Sequence, residues 1–215
     1  MYAQKLDYRI TSLSMKVADL AIDLSAETIL IRVQNQGKLR IFPHLNNSYR
    51  IELDEDMRPT SYQRMIHQGE LRDSVFTSFD ENHAIMHQES VGKSLRYEIS
   101  AEARDIFSFL FAVSQNPNPC KNYILDGDGR PWQAQVSPGV RQRIRTAMGT
   151  MFARKHDIRM VPLSQTKAPY VDMITHNFFD ENIKLSLWVS DNGIPLKAQL
   201  RKNMIGMNWE IIGIR

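Results

Sequence analysis

Near its end the chain writes out a β-hairpin. Leu185, Leu187 and Val189 alternate with Ser186, Trp188 and Ser190, Asp191-Asn192-Gly193 follows, and a second strand-like run continues to Arg215. Asn-Gly between two alternating runs predicts a two-residue type I′ turn, which needs φ > 0 at both central residues. Alternation puts successive side chains on opposite faces of a pleated strand, and most of the chain alternates in this way. Leu6–Leu13, Met15–Leu24, Thr28–Val33, Ser48–Leu53, Thr60–His67, Leu71–Phe79 and His83–Gln88 read as strands, separated by turn clusters such as Asp54-Glu55-Asp56, Gln68-Gly69 and Asp80-Glu81-Asn82. After a break they resume at Lys121–Leu125, Trp132–Val136, Arg141–Met148, Thr150–Val161 and Lys184–Ser190. The run from Leu39 to Leu45, with Pro43, reads as a connection or a short helical turn. Short turns between neighbouring strands predict an antiparallel meander.

One segment leaves the alternation. Ser100 is placed as a helix N-cap, with Glu102 and Asp105 in the first turns, where a helix dipole favours acids. Ile106, Phe107, Phe109, Leu110, Phe111 and Val113 follow, and Asn116-Pro117 ends the helix. The apolar residues cover far more than a narrow stripe, so a helix over 101–115 is expected to lie buried against a broad, curved sheet.

At 215 residues the chain has the length of one β-sandwich or barrel, and a single domain over 1–215 is expected. Hydrophobic residues at 42% and charged residues at 24% are ordinary for a globular protein. Nothing approaches the ~18 consecutive apolar residues of a membrane span. The start, Met1-Tyr2-Ala3-Gln4-Lys5, lacks the apolar core of a secretory signal, so the chain is either cytoplasmic or a mature exported form. Cys120 is the only cysteine, which excludes an internal disulfide and a multi-cysteine zinc site; it is expected to be a packing residue. Net charge is −3 over residues 1–115 and +6 over 116–215, a bias that favours an anionic partner or is simply a solvated surface.

Candidate chemistry is sparse. Asp126-Gly127-Asp128-Gly129 suggests calcium, but Arg130-Pro131-Trp132 ends the acidic series where further oxygen ligands are needed, so a hairpin turn is expected. His83 and His87 share a strand face at a spacing of roughly 13 Å, too far apart for one metal. His44, His67, His156 and His176 show no ligand spacing, and no metal or cofactor is expected. Nucleophile elbow, phosphate loop and dinucleotide fingerprint are all absent, which leaves a hydrolase with spatially assembled acids and histidines as the remaining enzymatic reading. Arg141, Arg143 and Arg145 alternate, so a strand aligns three guanidinium groups on one face: a candidate contact for an anionic headgroup, or a solvated face. No aromatic residues interleave with them as in single-strand nucleic-acid binders, and no nucleic-acid partner is expected. Phe107, Phe109, Leu110 and Phe111, with Trp188, are candidates for lining an apolar ligand cavity, although ordinary core packing accounts for the helix equally well.

Several short motifs, spread over nearly the whole chain, resemble the bacterial exported family called domain of unknown function 3108. They are Leu6-Asp7-Tyr8-Arg9-Ile10, the strand pair bearing Asp54 and Pro59, Phe79-Asp80, Ala103-Arg104-Asp105-Ile106-Phe107-Ser108, Leu187-Trp188-Val189-Ser190-Asp191 and Ile194-Pro195-Leu196-Lys197. The family's second strand contains a glycine, whereas this chain has Met15-Lys16-Val17-Ala18-Asp19. The resemblance implies a mainly β, β-rich α+β fold: a strongly curved antiparallel meander or half-barrel around one central helix, similar to outer-membrane lipoprotein carriers. It implies a periplasmic location in a Gram-negative cell envelope and no catalytic residues. Three functions are carried forward: shielding an acyl chain or lipoprotein in a sheet–helix cavity; an envelope interaction module with a packed core, meeting another envelope protein; and the hydrolase.

Overall fold

The computed structural model describes residues 4–35, 43–116, 119–165, 169–202 and 205–215. The expected connection over 39–45 falls largely outside them. Among the described residues, fifteen strands and one α-helix follow in order: β1 (Gln4–Ser12), β2 (Met15–Leu24), β3 (Thr28–Gln34), β4 (Asn46–Leu53), β5 (Pro59–Gln68), β6 (Leu71–Phe79), β7 (His83–Gln88), β8 (Lys93–Glu98), α1 (Ile106–Gln115), β9 (Asn122–Asp126), β10 (Pro131–Val136), β11 (Val140–Thr146), β12 (Gly149–Pro162), β13 (Lys184–Ser190), β14 (Pro195–Lys202) and β15 (Ile205–Ile214).

All the strands belong to one antiparallel sheet, ordered β8-β7-β6-β5-β4-β3-β2-β1-β15-β14-β13-β12-β10-β9, with β11 paired to β12 beside β10. The chain's two ends meet in its middle, where Leu6 pairs with Ile214 and Ile10 with Trp209. Either side of that pair the sheet curls as a meander. Register shifts at Asp7/Tyr8, Ile10/Thr11, Glu52/Leu53 and Trp188/Val189 add local twist and bend. The sheet is strongly curved and does not close, because β8 and β9 form no ladder with each other.

The hairpin read at 185–193 is present, but its turn differs. Only Gly193 has positive φ (77°), Gly193 N donates to Ser190 O at 3.0 Å, and Ser190 N donates to Ile194 O at 2.9 Å. This is a three-residue loop closed by a left-handed glycine; the bulge at Trp188/Val189 takes up the extra residue that a two-residue I′ turn would not have.

The helix also starts later than the sequence predicts. Asp105, not Ser100, is its N-cap: its Oδ1 accepts from Phe107 N at 2.8 Å and Ser108 N at 3.2 Å. Ser100 closes one isolated turn, with Ala103 N donating to its carbonyl. The residues on either side of it serve the gap between the sheet edges. Ile99 N donates to Asn82 O, Arg104 N donates to Ile124 O, and Asp126 N donates to Arg104 O. One extended segment therefore joins the β7 side to β9, and its backbone groups are used across strands instead of along a helix. The Arg104 guanidinium reaches the carbonyls of Asp56 and Met57 in the β4–β5 turn.

Candidate functional site

The inner face of the sheet encloses two inserts, α1 and the segment 170–178. Phe107, Phe109, Leu110 and Phe111 are all buried in one continuous core. Phe107 lies 5.1 Å from Tyr49 and 6.4 Å from both Tyr62 and Trp209, centroid to centroid, and Phe109 stands edge-on to Tyr123 at 5.2 Å. The second insert brings Val171, Ile174 and Phe178 into the interior, with Phe178 edge-on to Trp209 at 5.3 Å. Asp172 holds it in place, accepting from Ile174 N, Thr175 N and Thr175 Oγ1 within the segment, and from Tyr49 OH of β4 at 3.0 Å. Gln68 Oε1 accepts from Met173 N at 3.1 Å. Alternation in the sequence assigns this segment no element. Its one hint is the helical spacing of Val171, Ile174 and Phe178.

At the gap between the sheet edges lies a polar group that alternation alone does not reveal. Arg64 sits between Tyr62 and Ile66 on the inner face of β5, and its Nη1 bonds Asp128 Oδ1 in the β9–β10 turn. Its Nη2 approaches Thr77 Oγ1 at 3.4 Å, and its guanidinium lies 4.7 Å from the Tyr62 ring. The expected Asp126–Gly129 turn is present, but its carboxylates point inward and both are buried. Asp128 has a left-handed φ of 60°, and a Cβ on Gly129 (φ 83°) would stand 2.6 Å from Leu95 Cδ2 of β8. Burial raises Asp128 to about 6 against the opposing pull of Arg64, and the nearby Asp172 and Asp126 add to the rise. Burial likewise raises Asp126. Arg64 is also desolvated, but the surrounding acids and Tyr62 keep it charged. Among the described residues, Arg64 Nε, Asp128 Oδ2 and Tyr62 OH have no hydrogen-bond partner.

The remaining candidates lie elsewhere. Trp188 is on the outer face of β13, away from the helix, between Lys155 Nζ (5.6 Å from the ring centroid) and Lys197 Nζ (5.4 Å). It points to the opposite face from Leu187 and Val189, with which it alternates, and is itself buried at the margin of the same core. Arg141, Arg143 and Arg145 do align on one face of β11, opposite Arg154, Phe152 and Thr150. Arg141 is engaged by Asp191 at 2.9 Å and by the Phe152 ring at 4.5 Å. Phe152 itself is 53% exposed. The β11–β12 hairpin folds back over the sheet, where Ala147 N donates to Glu210 Oε1 of β15 and Ile144 and Met151 pack onto the core. A cleft of about 660 Å³ beyond the end of α1 is lined by Asn116, Arg141, Arg154 and His156.

Cys120, expected to be a packing residue, is exposed. It lies outside the ladder between the buried Pro119 and β9. His83 and His87 share the outer face of β7, and among the described residues no group of three or more His, Cys, Asp or Glu converges as for a metal. No helix among them is long and apolar enough to cross a membrane.

An open, strongly curved antiparallel sheet filled by one helix and one loop defines a β-barrel-like protein. That class is seen in a β-barrel-like protein of domain of unknown function DUF1849 from Brucella abortus, which is 9% identical and superposes with a TM-score of 0.61 over 99% of this chain and 96% of that one. This likeness is one of fold. Two further chains are matched at TM-scores of 0.34 and 0.39, below that of a shared fold. The first is a candidate exported protein with a YmcC-like fold from Bacteroides fragilis, 10% identical, over 100% of this chain and 96% of that one. The second is a candidate lipoprotein from Parabacteroides distasonis, 7% identical, with the same coverages. No family model matches the chain, and no curated protein matches it.

Proposed function

We propose that this chain is a non-catalytic binding protein of the bacterial cell envelope that shields an acyl-bearing ligand between the curved sheet and α1. One observation carries the reading. The space facing the helix is filled by the loop segment 170–178, which is held by the Asp172 hydrogen bonds and belongs to no strand ladder. Withdrawing that segment vacates the volume of Val171, Ile174 and Phe178 without breaking a strand pair, and leaves Phe107 and Trp209 to line the space. Arg143, Arg145 and Arg154 make no ion pair among the described residues and are the groups expected to meet an anionic headgroup. The resemblance to domain of unknown function 3108 supports the envelope location.

A second reading is favoured by the burial of every phenylalanine on α1: an envelope interaction module whose interior stays filled. Native mass spectrometry with organic extraction, on protein expressed in a periplasm without detergent, separates the two. The carrier reading expects stoichiometric lipid, with more of it on Asp172→Ala, which loosens the segment. A clean apo mass for both proteins supports the filled module.

A further inference from the structure

Away from the interior, three cations stand side by side on the outer face of the second half of the sheet. Arg159 of β12 pairs in register with Lys184 of β13, and Lys184 pairs with Arg201 of β14. All three are exposed, and none makes an ion pair among the described residues. Adjacent strands are about 4.8 Å apart, so the three side chains start within roughly 10 Å of one another. Like charges directly opposite on neighbouring strands destabilise a sheet, so this row weakens the fold unless an anion joins it.

The row borders a cleft of about 880 Å³, where β12 changes partner from β10 to β11. Ser186 and Gln199 form the next row across it. Asp157 is not available to neutralise the cations, because Lys155 holds it at 2.8 Å and Ser186 Oγ donates to it. Glu181 lines the same cleft and opposes an anion there.

We propose that this cleft binds a phosphate-bearing anion, with Arg159 and Arg201 each presenting a planar fork to phosphate oxygens and Lys184 a point charge between them. The site is independent of the interior reading, since no residue of α1 or of segment 170–178 lines it.

Inorganic pyrophosphate, titrated by calorimetry at low salt, is the first probe. The intact chain binds it, Lys184→Gln/Arg201→Gln weakens binding by about tenfold or more, and Glu181→Gln tightens it. Lys93→Gln/Arg96→Gln, on the distant edge strand β8, leaves it unchanged. All the substituted side chains are exposed, so each variant folds. Vesicles of phosphatidylglycerol in phosphatidylcholine then distinguish the source. Co-sedimentation that is lost in the Lys184/Arg201 variant identifies a lipid headgroup, and binding of pyrophosphate alone identifies a soluble phosphate. Binding of neither probe, or equal loss in both pairs of variants, overturns the proposal.

Discussion

Arg64 and Asp128 are separated by 64 residues and form an ion pair in which the side chains are 1% and 3% exposed. It is a buried polar link across the unclosed edge of the sheet, since β5 lies in the first meander and the β9–β10 turn in the second. Removing one partner leaves a buried charge uncompensated, which costs about 3–5 kcal/mol, whereas replacing both is far milder. Arg64→Met is therefore expected to destabilise strongly, and Arg64→Met/Asp128→Asn to recover most of the loss. A double-mutant cycle by urea unfolding measures this; additive losses would show that the pair is not coupled.

The same pair sets an unusual pH dependence. Burial pushes the Asp128 carboxyl up to about 6 in the folded protein, well above the ordinary aspartate range. The folded state therefore holds a proton between pH 4 and 6 that the unfolded chain has lost, and stability falls as pH rises through that window. Burial raises Asp105 and Asp126 in the same direction. Asp73, Asp157 and Asp180 are lowered and act oppositely, their contribution being lost as pH falls below the ordinary carboxylate range. The melting temperature is expected to rise from pH 7.5 to about 5.5 and to fall again below about 4. Asp128→Asn should flatten the upper limb; an unchanged limb would exclude Asp128 as its source.

Strand positions were legible where each ladder is local. From β1 to β7 every strand pairs with its sequence neighbour, and alternating residues such as Leu20, Ile22 and Leu24 mark the buried face directly; β8, whose side chains are nearly all exposed, carries no such alternation and is not read as a strand. Arg64 was legible in part, as a charged residue in the apolar phase between Tyr62 and Ile66, but its partner lies in a turn whose sequence looks solvated. Long-range closure was not legible. The pairing of Leu6 with Ile214 and the burial of segment 170–178 depend on curvature accumulated over many strands, which no local pattern encodes. The helix start was missed for a related reason: Ser100 and Asp105 both have cap chemistry, and the demand for backbone partners at the sheet edges decides between them.

Asp105 tests that account. It is buried, caps Phe107 N and Ser108 N, and accepts from Ser108 Oγ. Asp105→Ala removes all three bonds and is expected to cost at least about 1–2 kcal/mol. Asp105→Asn keeps an acceptor without burying a charge, so it should cost clearly less. Denaturant melts of the two variants check the order. An equally mild Ser100→Ala effect on helix content is expected, because Ser100 does not cap α1.

Cys120 offers a rapid check on the region before β9. Being exposed, it should react stoichiometrically with a thiol reagent in native buffer, at a rate that denaturant barely changes. A thiol that reacted only on unfolding would place Cys120 inside the core with Pro119.

Phe178 tests the filled interior directly. Its ring meets Trp209 edge-on, and Phe107 also contacts that indole, so the loop segment and the helix share one aromatic partner. Phe178→Ala is expected to cost about 3–5 kcal/mol, since the sheet around the vacated space is fixed by its ladders and collapses only in part. A cavity left that way is apolar and stays dry, and it should take up a small apolar guest. Benzene should therefore raise the melting temperature of Phe178→Ala and leave the unsubstituted protein unmoved. Trp209 emission should respond to the guest in the variant alone. A loss below about 1 kcal/mol, with no response to benzene, would mean that segment 170–178 rests on the core without filling it.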